Sequence, residues 1–250
     1  MMEFLRCLHA DFIKIKRRPV FWIHLIVPAV GILFVLLESV LTKSSPGSDA
    51  LTCLGLIGAA FPVLIGIVCS MIADQEAEAG SFQQLLTAPF RLTPFLSLTV
   101  LLLLLGFGAE LFTAFGFEAV SALFLHRAAF GPGYYWSGVL ILFVCNIFLY
   151  FLHLFLSLRF NKGVSIGVGI FESLLSALLM TGLGEGIWPV IPCAWGLHFL
   201  RFFGMQAGGA ALPAGGGFHT GAVACAVETA LMIVFSLLWC LRWEGKKTEE

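Results

Sequence analysis

The sequence predicts an all-α, polytopic membrane protein with six transmembrane helices, and three observations carry that prediction. Apolar runs of 18 or more residues recur along the 250-residue chain, each long enough to cross roughly 30 Å of hydrocarbon as a helix. Hydrophobic residues make up 59% of the chain and charged residues only 12%, with a mean hydropathy of +0.98. A soluble domain carries about twice that charged fraction. The basic residues gather in alternate connections between the runs, as in a chain that threads a bilayer back and forth. A net charge of −1 gives no hint of a nucleic-acid partner.

Residues 2–18, MEFLRCLHADFIKIKRR, come first. Phe4, Leu5, Leu8, Phe12 and Ile15 fall on one helical face and the cations cluster towards the end. That describes a helix lying in the inner interface, its cations near anionic headgroups; an ordinary basic flank with no helix is the other reading. The first span covers about 20–41. It is too long for the apolar region of a signal peptide, and no small-residue cleavage pattern follows it. The second span covers about 51–73. Pro28 and Pro62 fall inside these two, where neighbouring helices can satisfy the carbonyls that proline frees.

The third span lies within 95–125, longer than a bilayer needs and therefore tilted, broken or extended beyond it. The fourth is about 137–158, the fifth 164–183 and the last 220–241. With the N-terminus inside, the inner segments hold Arg6, Lys14, Lys16, Arg17, Arg18, Arg91, Arg159, Lys162, Arg242, Lys246 and Lys247. The outer segments hold only Lys43, Arg127 and Arg201. The imbalance puts both termini and residues 74–94 in the cytoplasm. Seven cysteines are scattered without a CxxC pair, and only Cys193 lies clearly in an outer loop, so nothing compels a disulfide. The chain reads as a single permease-like domain, with no polar linker long enough to divide it.

Between the second and third spans, residues 75–89 read QEAEAGSFQQLLTAP, a polar island with a short helix written into it. Ser81 and Gln84 have the spacing of a capping box. Phe82, Leu85 and Leu86 stand at i, i+3 and i+4 and form one apolar edge. Pro89 ends the helix after about two turns, because the residue before proline is pushed out of the α region. So short a helix is marginal in water, so its edge must dock, either on a partner protein or on the chain's own helix ends and lipid.

Chemistry-bearing motifs are missing. No GxxxxGK[ST] occurs, and the glycines at 215–217 lack the lysine that would reach phosphates. No HExxH is present, and Asp11, Asp49 and Asp74 lie outside the spans, against an intramembrane metalloprotease or an aspartyl dyad. His24 and His153 read as hydrogen-bond partners between helices rather than ligands. The sequence therefore offers no catalytic, cofactor-binding or metal-ligating residues. The anomaly is intramembrane acid: Glu38, Glu110, Glu118, Glu172 and Glu228. Such groups face protein or a hydrated cavity. Glu110 and Glu118 stand roughly 80° apart around a helix, so with Glu228 they are candidates for a cargo path. The plainer reading is that they tie helices together.

The pattern E-x-E-x-G-x-F-x-x-L-L-T-x-P in the first cytoplasmic connection, carried by Glu76, Glu78, Gly80, Phe82, Leu85, Leu86, Thr87 and Pro89, follows an amphipathic helix and a pair of spans. That layout resembles permease subunits of the type-2 ABC exporter family, most of all those that protect bacteria against lantibiotics and related antimicrobial peptides. The resemblance implies a coupling helix at 75–89, seated on an ATPase, with Glu76, Glu78, Gly80, Phe82, Leu85 and Leu86 as coupling residues. It implies an elbow helix at 2–18. Residues 184–219, apolar but interrupted by Gly186, Pro189, Pro192, Gly196 and Gly204, suit short re-entrant outer helices; further spans are the alternative. It also implies that the chain is not an enzyme, and that ATP and Mg are bound by two copies of a separate ATPase. A second, related permease, an amphiphilic peptide cargo and the bacterial plasma membrane complete the expectation. A secondary transporter or channel subunit is the alternative, and a membrane-embedded enzyme has less support still.

Overall fold

The computed structural model describes residues 2–127, 130–211, 213 and 216–245. The described residues form helices and single turns, with no strand: α1 (Met2–Ile15), α2 (Pro19–Thr42), α3 (Pro46–Glu78), α4 (Gln83–Thr87), α5 (Leu92–Phe124), α6 (Pro132–Arg159), α7 (Lys162–Leu179), α8 (Pro192–Ala207) and α9 (Phe218–Arg242). Six of them, α2, α3, α5, α6, α7 and α9, are long and apolar enough to cross a membrane. Local chemistry explains where they start. Proline opens α2, α3, α6 and α8, where its missing N–H leaves no bond unmade. Ser45 accepts from the Ser48 N–H to cap α3, and Asn161 accepts from the Val164 N–H to cap α7.

Helix α3 is the axis of the bundle. Buried along it are Leu54, Ile57, Phe61, Ile65, Val68 and Ile72, packed between α5, α6 and α7. The closest approach is to α7. A Cβ on Gly66 would stand 2.7 Å from the Ser165 carbonyl oxygen, and one on Gly169 2.6 Å from that of Pro62. Small residues let backbones meet this closely, and in hydrocarbon such packing is the main cohesive force. Beside Pro62, the Ser173 hydroxyl of α7 accepts from the Val63 N–H at 3.1 Å, so a neighbouring helix does service a backbone group at the proline. By contrast α2 and α9 turn rows of large apolar side chains outward, among them Phe21, Trp22, Leu33, Phe34, Leu231, Val234 and Leu238. A surface of that kind suits hydrocarbon, not water.

Three expectations need correction. The third span is neither broken nor short: α5 is one continuous helix of 33 residues, about 50 Å long at 1.5 Å per residue. Gly196 and Gly204 do not interrupt the segment before the last span, because both lie inside the 16-residue α8. They are packing sites: an added Cβ would come within 3.1 Å of Leu142 at Gly196, and 3.2 Å of Leu51 at Gly204. Trp195 meets Phe148 edge-on and Phe203 tilts onto Tyr134, so α8 lies alongside α6 within the depth of the bundle. Helix α1, finally, divides its apolar face. Leu8, Asp11 and Ile15 turn inward while Leu5 and Phe12 remain exposed.

Candidate functional site: the α3–α4–α5 junction

The connection between α3 and α5 is built by a sharp reversal. Helix α3 runs on to Glu78, so Glu76 and Glu78 are its last turn rather than part of a loop. The chain then turns through Gly80 at φ +139°, Ser81 at +51° and Phe82 at +65°. Glycine takes the first of these without penalty. The other two are left-handed conformations that non-glycine residues adopt at a cost of order 1–3 kcal/mol each. Backbone bonds from Ser81 N–H to Ala77 O (2.8 Å) and from Phe82 N–H to Glu76 O (3.1 Å) hold the reversal closed.

This turn removes the predicted capping box. Ser81 precedes the cap position, which Phe82 occupies, and no side chain caps α4. Gln84 does not reach back either, because its Oε1 accepts from Lys14 Nζ at 2.7 Å. A cation outcompetes a neutral backbone amide for that carbonyl.

The apolar edge points inward. Phe82 and Leu85 are only 4% and 2% exposed. Phe82 packs edge-on against Trp243, just past the end of α9, with centroids 5.1 Å apart. Leu86 packs against the same core. Arg91 completes the seam by donating to the carbonyl oxygens of Trp243 (3.0 Å) and Leu241 (3.4 Å). The segment is thus fastened to its own chain by the edge expected to meet a partner. What it leaves outside is Glu78, Ser81, Gln83, Gln84, Thr87, Pro89 and Phe90, the last 67% exposed.

Lys14 is the second fastening. From α1 its Nζ reaches Glu76 Oε1 at 2.8 Å, Gln84 Oε1 at 2.7 Å and Asp11 Oδ1 at 3.1 Å, while the Ser97 hydroxyl of α5 donates to Asp11 Oδ2 at 2.5 Å. Four helices, α1, α3, α4 and α5, converge on one ammonium. Burial alone would lower the Lys14 pKa, but the hydrogen bond and charge of Glu76, with Asp11 behind them, outweigh it and leave it raised. The ammonium therefore stays charged throughout the physiological range. The sequence marked the α4 edge but gave no reason to single out Lys14, Gln84 or Trp243. A lysine beside the inward face of an amphipathic helix was the only trace.

The three glutamates proposed for a cargo path are not brought together. Glu110 is buried in the α5–α6 seam, where Asn146 Nδ2 donates to its Oε1 at 2.7 Å. Glu118 and Glu228 are half-buried two turns away on α5 and on α9, and none of the three lines a described cavity. Among the other acids, Glu172 accepts from His153 Nε2 at 2.8 Å, and His153 Nδ1 lies 3.0 Å from Ser165 Oγ. This serine–histidine–carboxylate chain has the connectivity of a hydrolase triad. Ser165 is fully enclosed, however, and its hydroxyl also lies 3.2 Å from the Gly66 carbonyl oxygen, so the chain ties α3, α6 and α7 together. His153 does bridge helices as expected, whereas His24 bonds the Val20 carbonyl of its own helix at 2.7 Å.

At the opposite end of the bundle, Arg127 bonds Ser39 at 2.9 Å and the Ser44 carbonyl, and ion-pairs with Asp49, which accepts from Ser39 at 2.6 Å. This clasp joins the α2–α3 and α5–α6 connections. Compared with known families, residues 7–177 match the model of the ABC-2 family transporter protein. No curated protein and no solved structure matches the chain.

Proposed function

Since this chain belongs to the ABC-2 family of transporter proteins, we propose that it is the permease subunit of an ATP-driven exporter, with the α3–α4–α5 junction as the contact that receives the ATPase. The observation that supports this is the double fastening of α4. A short helix held by Lys14 on one side and Trp243 on the other moves as one piece with α1, α3, α5 and the end of α9. Force applied to its exposed face enters the core helix α3 directly. In this reading Phe82, Leu85, Leu86 and Glu76 act from within as positioning residues, and Gly80 permits the turn. Glu78, Gln83, Thr87 and Phe90 meet the ATPase. ATP and Mg belong to that partner, which is present in two copies.

The remainder of the reading follows the charge pattern and the resemblance. The end of the bundle with α1, α4 and the C-terminus faces the cytoplasm of a bacterial cell. A second, related permease completes the membrane unit. The cargo is an amphiphilic, lantibiotic-type peptide moved outward from the membrane, and the chain itself is not an enzyme. An ATPase gene with a Walker motif beside this reading frame is the cheapest support.

The direct test is co-purification of that ATPase with Phe90→Ser and Thr87→Arg variants. We expect the ATPase to be lost while the permease itself stays folded, because both side chains are exposed. Normal co-purification and normal peptide resistance in both variants would remove the junction from the interface.

A further inference from the structure

A groove of about 330 Å³ opens at mid-span between α2, α3, α5 and α6. Its walls are almost wholly apolar, with Val27, Phe34, Phe61 and Leu64 among them. Three polar side chains enter it: His24, Thr113 and Tyr150. Thr113 spends its hydroxyl on the Ala109 carbonyl at 2.8 Å. The other two are left with capacity. Tyr150 is only 2% exposed, yet its hydroxyl makes no hydrogen bond among the described residues. That hydroxyl lies where a side chain at Gly106 would stand, 1.8 Å from the position of an added Cβ. His24 points Nδ1 at the Val20 carbonyl oxygen at 2.7 Å. A carbonyl can only accept, so Nδ1 carries the proton and a neutral ring keeps Nε2 as an acceptor.

Behind Tyr150 stands Glu110, one turn along α5 from Gly106 and within electrostatic reach of the phenol. Asn146 satisfies Oε1, and Oε2 has no hydrogen-bond partner among the described residues. A buried carboxyl with one oxygen unserved is costly in hydrocarbon and points to a missing donor. No lysine or arginine lines the groove. Acceptors, a nearby acid and apolar walls together select one ligand chemistry.

We propose that this groove binds a primary ammonium carried on an apolar stem, the stem lying against Phe34, Phe61 and Leu64 and the ammonium meeting Tyr150 Oη and His24 Nε2, with Glu110 behind them. The volume, at the low end for small-molecule sites, admits one such group and not a whole peptide. A peptide cargo would engage through a single lysine side chain or its N-terminal amine. This deepens the exporter reading, on which the identity of the cargo rests, while the site itself belongs to this chain.

The test uses the full chain in lipid nanodiscs, without any ATPase. The probes are dodecylammonium carrying a photoactivatable diazirine and the uncharged alcohol of the same length. The ammonium probe should label peptides from residues 23–34 and 56–68 saturably. Tyr150→Phe and Glu110→Gln should each weaken it by about tenfold, the effect of one hydrogen bond to a charged group, and leave the alcohol unchanged. Glu110→Gln keeps the acceptor that Asn146 uses, so the α5–α6 seam persists. Ala60→Phe, which fills the groove from α3, should abolish labelling by both probes. Equal labelling by the two probes, insensitive to Tyr150→Phe and Glu110→Gln, would mean that the groove holds only hydrocarbon and would overturn the proposal. Saturable labelling confined to other helices would also overturn it. Neither result would bear on ATPase association, which the co-purification above measures separately.

Discussion

Replacing Lys14 by Met tests the junction most directly, because it removes one charge and leaves the stem that packs. Asp11 and Glu76 are 2% and 4% exposed, and Lys14 touches both. Breaking a fully buried ion pair by removing one partner costs about 3–5 kcal/mol. The lysine side chain keeps 28% of its surface in solvent, so water can reach part of the vacated site. That lowers the expected cost to about 2–3 kcal/mol, between an unsatisfied polar group and a stranded charge. The loss falls on the attachment of α4 to α1 and not on the spans, whose cores lie elsewhere.

A cost of this size should raise the population of the opened junction by about 30–150-fold. Amide hydrogen exchange of residues 79–90 in nanodiscs reads that change, with α6 and α7 peptides as the unchanged reference. Lys14→Met combined with Glu76→Met removes the stranded carboxylate and should recover part of the protection. The pH dependence has a definite sign. A raised lysine pKa means that the contribution is fully present below the ordinary lysine value and fades only as pH climbs through the raised one. Wild-type protection should therefore be flat from about pH 6 to 9, below the ordinary lysine value near 10.4. Unchanged exchange at residues 79–90 in Lys14→Met would refute the latch, and so would exchange that rises equally across α6 and α7.

Two other outcomes are expected. Gly169→Ala should lower the thermal midpoint in detergent by the equivalent of about 1–3 kcal/mol, since its Cβ would stand 2.6 Å from the Pro62 carbonyl oxygen. Gly167→Ala, with nothing within 4 Å, should hold or raise it, and equal effects at the two sites would contradict the close α3–α7 contact. In a cysteine-depleted background, an impermeant thiol reagent outside intact cells should label Glu185→Cys but not Ser81→Cys, both exposed positions. The reverse pattern would invert the proposed orientation.

What could be read from the sequence is what depends on short stretches of it. The six spans follow from apolar length alone, and the observed bounds of α2 and α9 fall within two residues of 20–41 and 220–241. The apolar edge of α4 was visible in the spacing of Phe82, Leu85 and Leu86, because a helical face is a local property. Which way that edge turns was not visible, since the answer lies in Trp243, about 160 residues along the chain. The capping box failed for a similar reason. Ser81 has the right spacing to Gln84, but α3 overruns to Glu78 and the reversal takes Ser81 into a left-handed conformation. Glycines 196 and 204 were read as interruptions when their role is to admit Leu142 and Leu51, a distinction that only the neighbouring helix makes.

The same helix that carries the junction also carries the groove, and that sets how the two could communicate. Helix α3 is unbroken from the groove residues Leu56 to Val68 down to Glu76 at the Lys14 latch. The eight residues from Val68 to Glu76 span only about 12 Å at 1.5 Å each, with close-packed contacts to α7 alongside. A packed helix moves as a unit and does not absorb a small displacement along its length. A shift of α4 by a partner would therefore change the spacing between α3 and the less buried α2, which forms the other wall of the groove. In the exporter reading the groove opens or closes on its ligand in this way, with no separate hinge required. The chemical difference between the two states would lie in whether Tyr150 and Glu110 can still reach the bound donor.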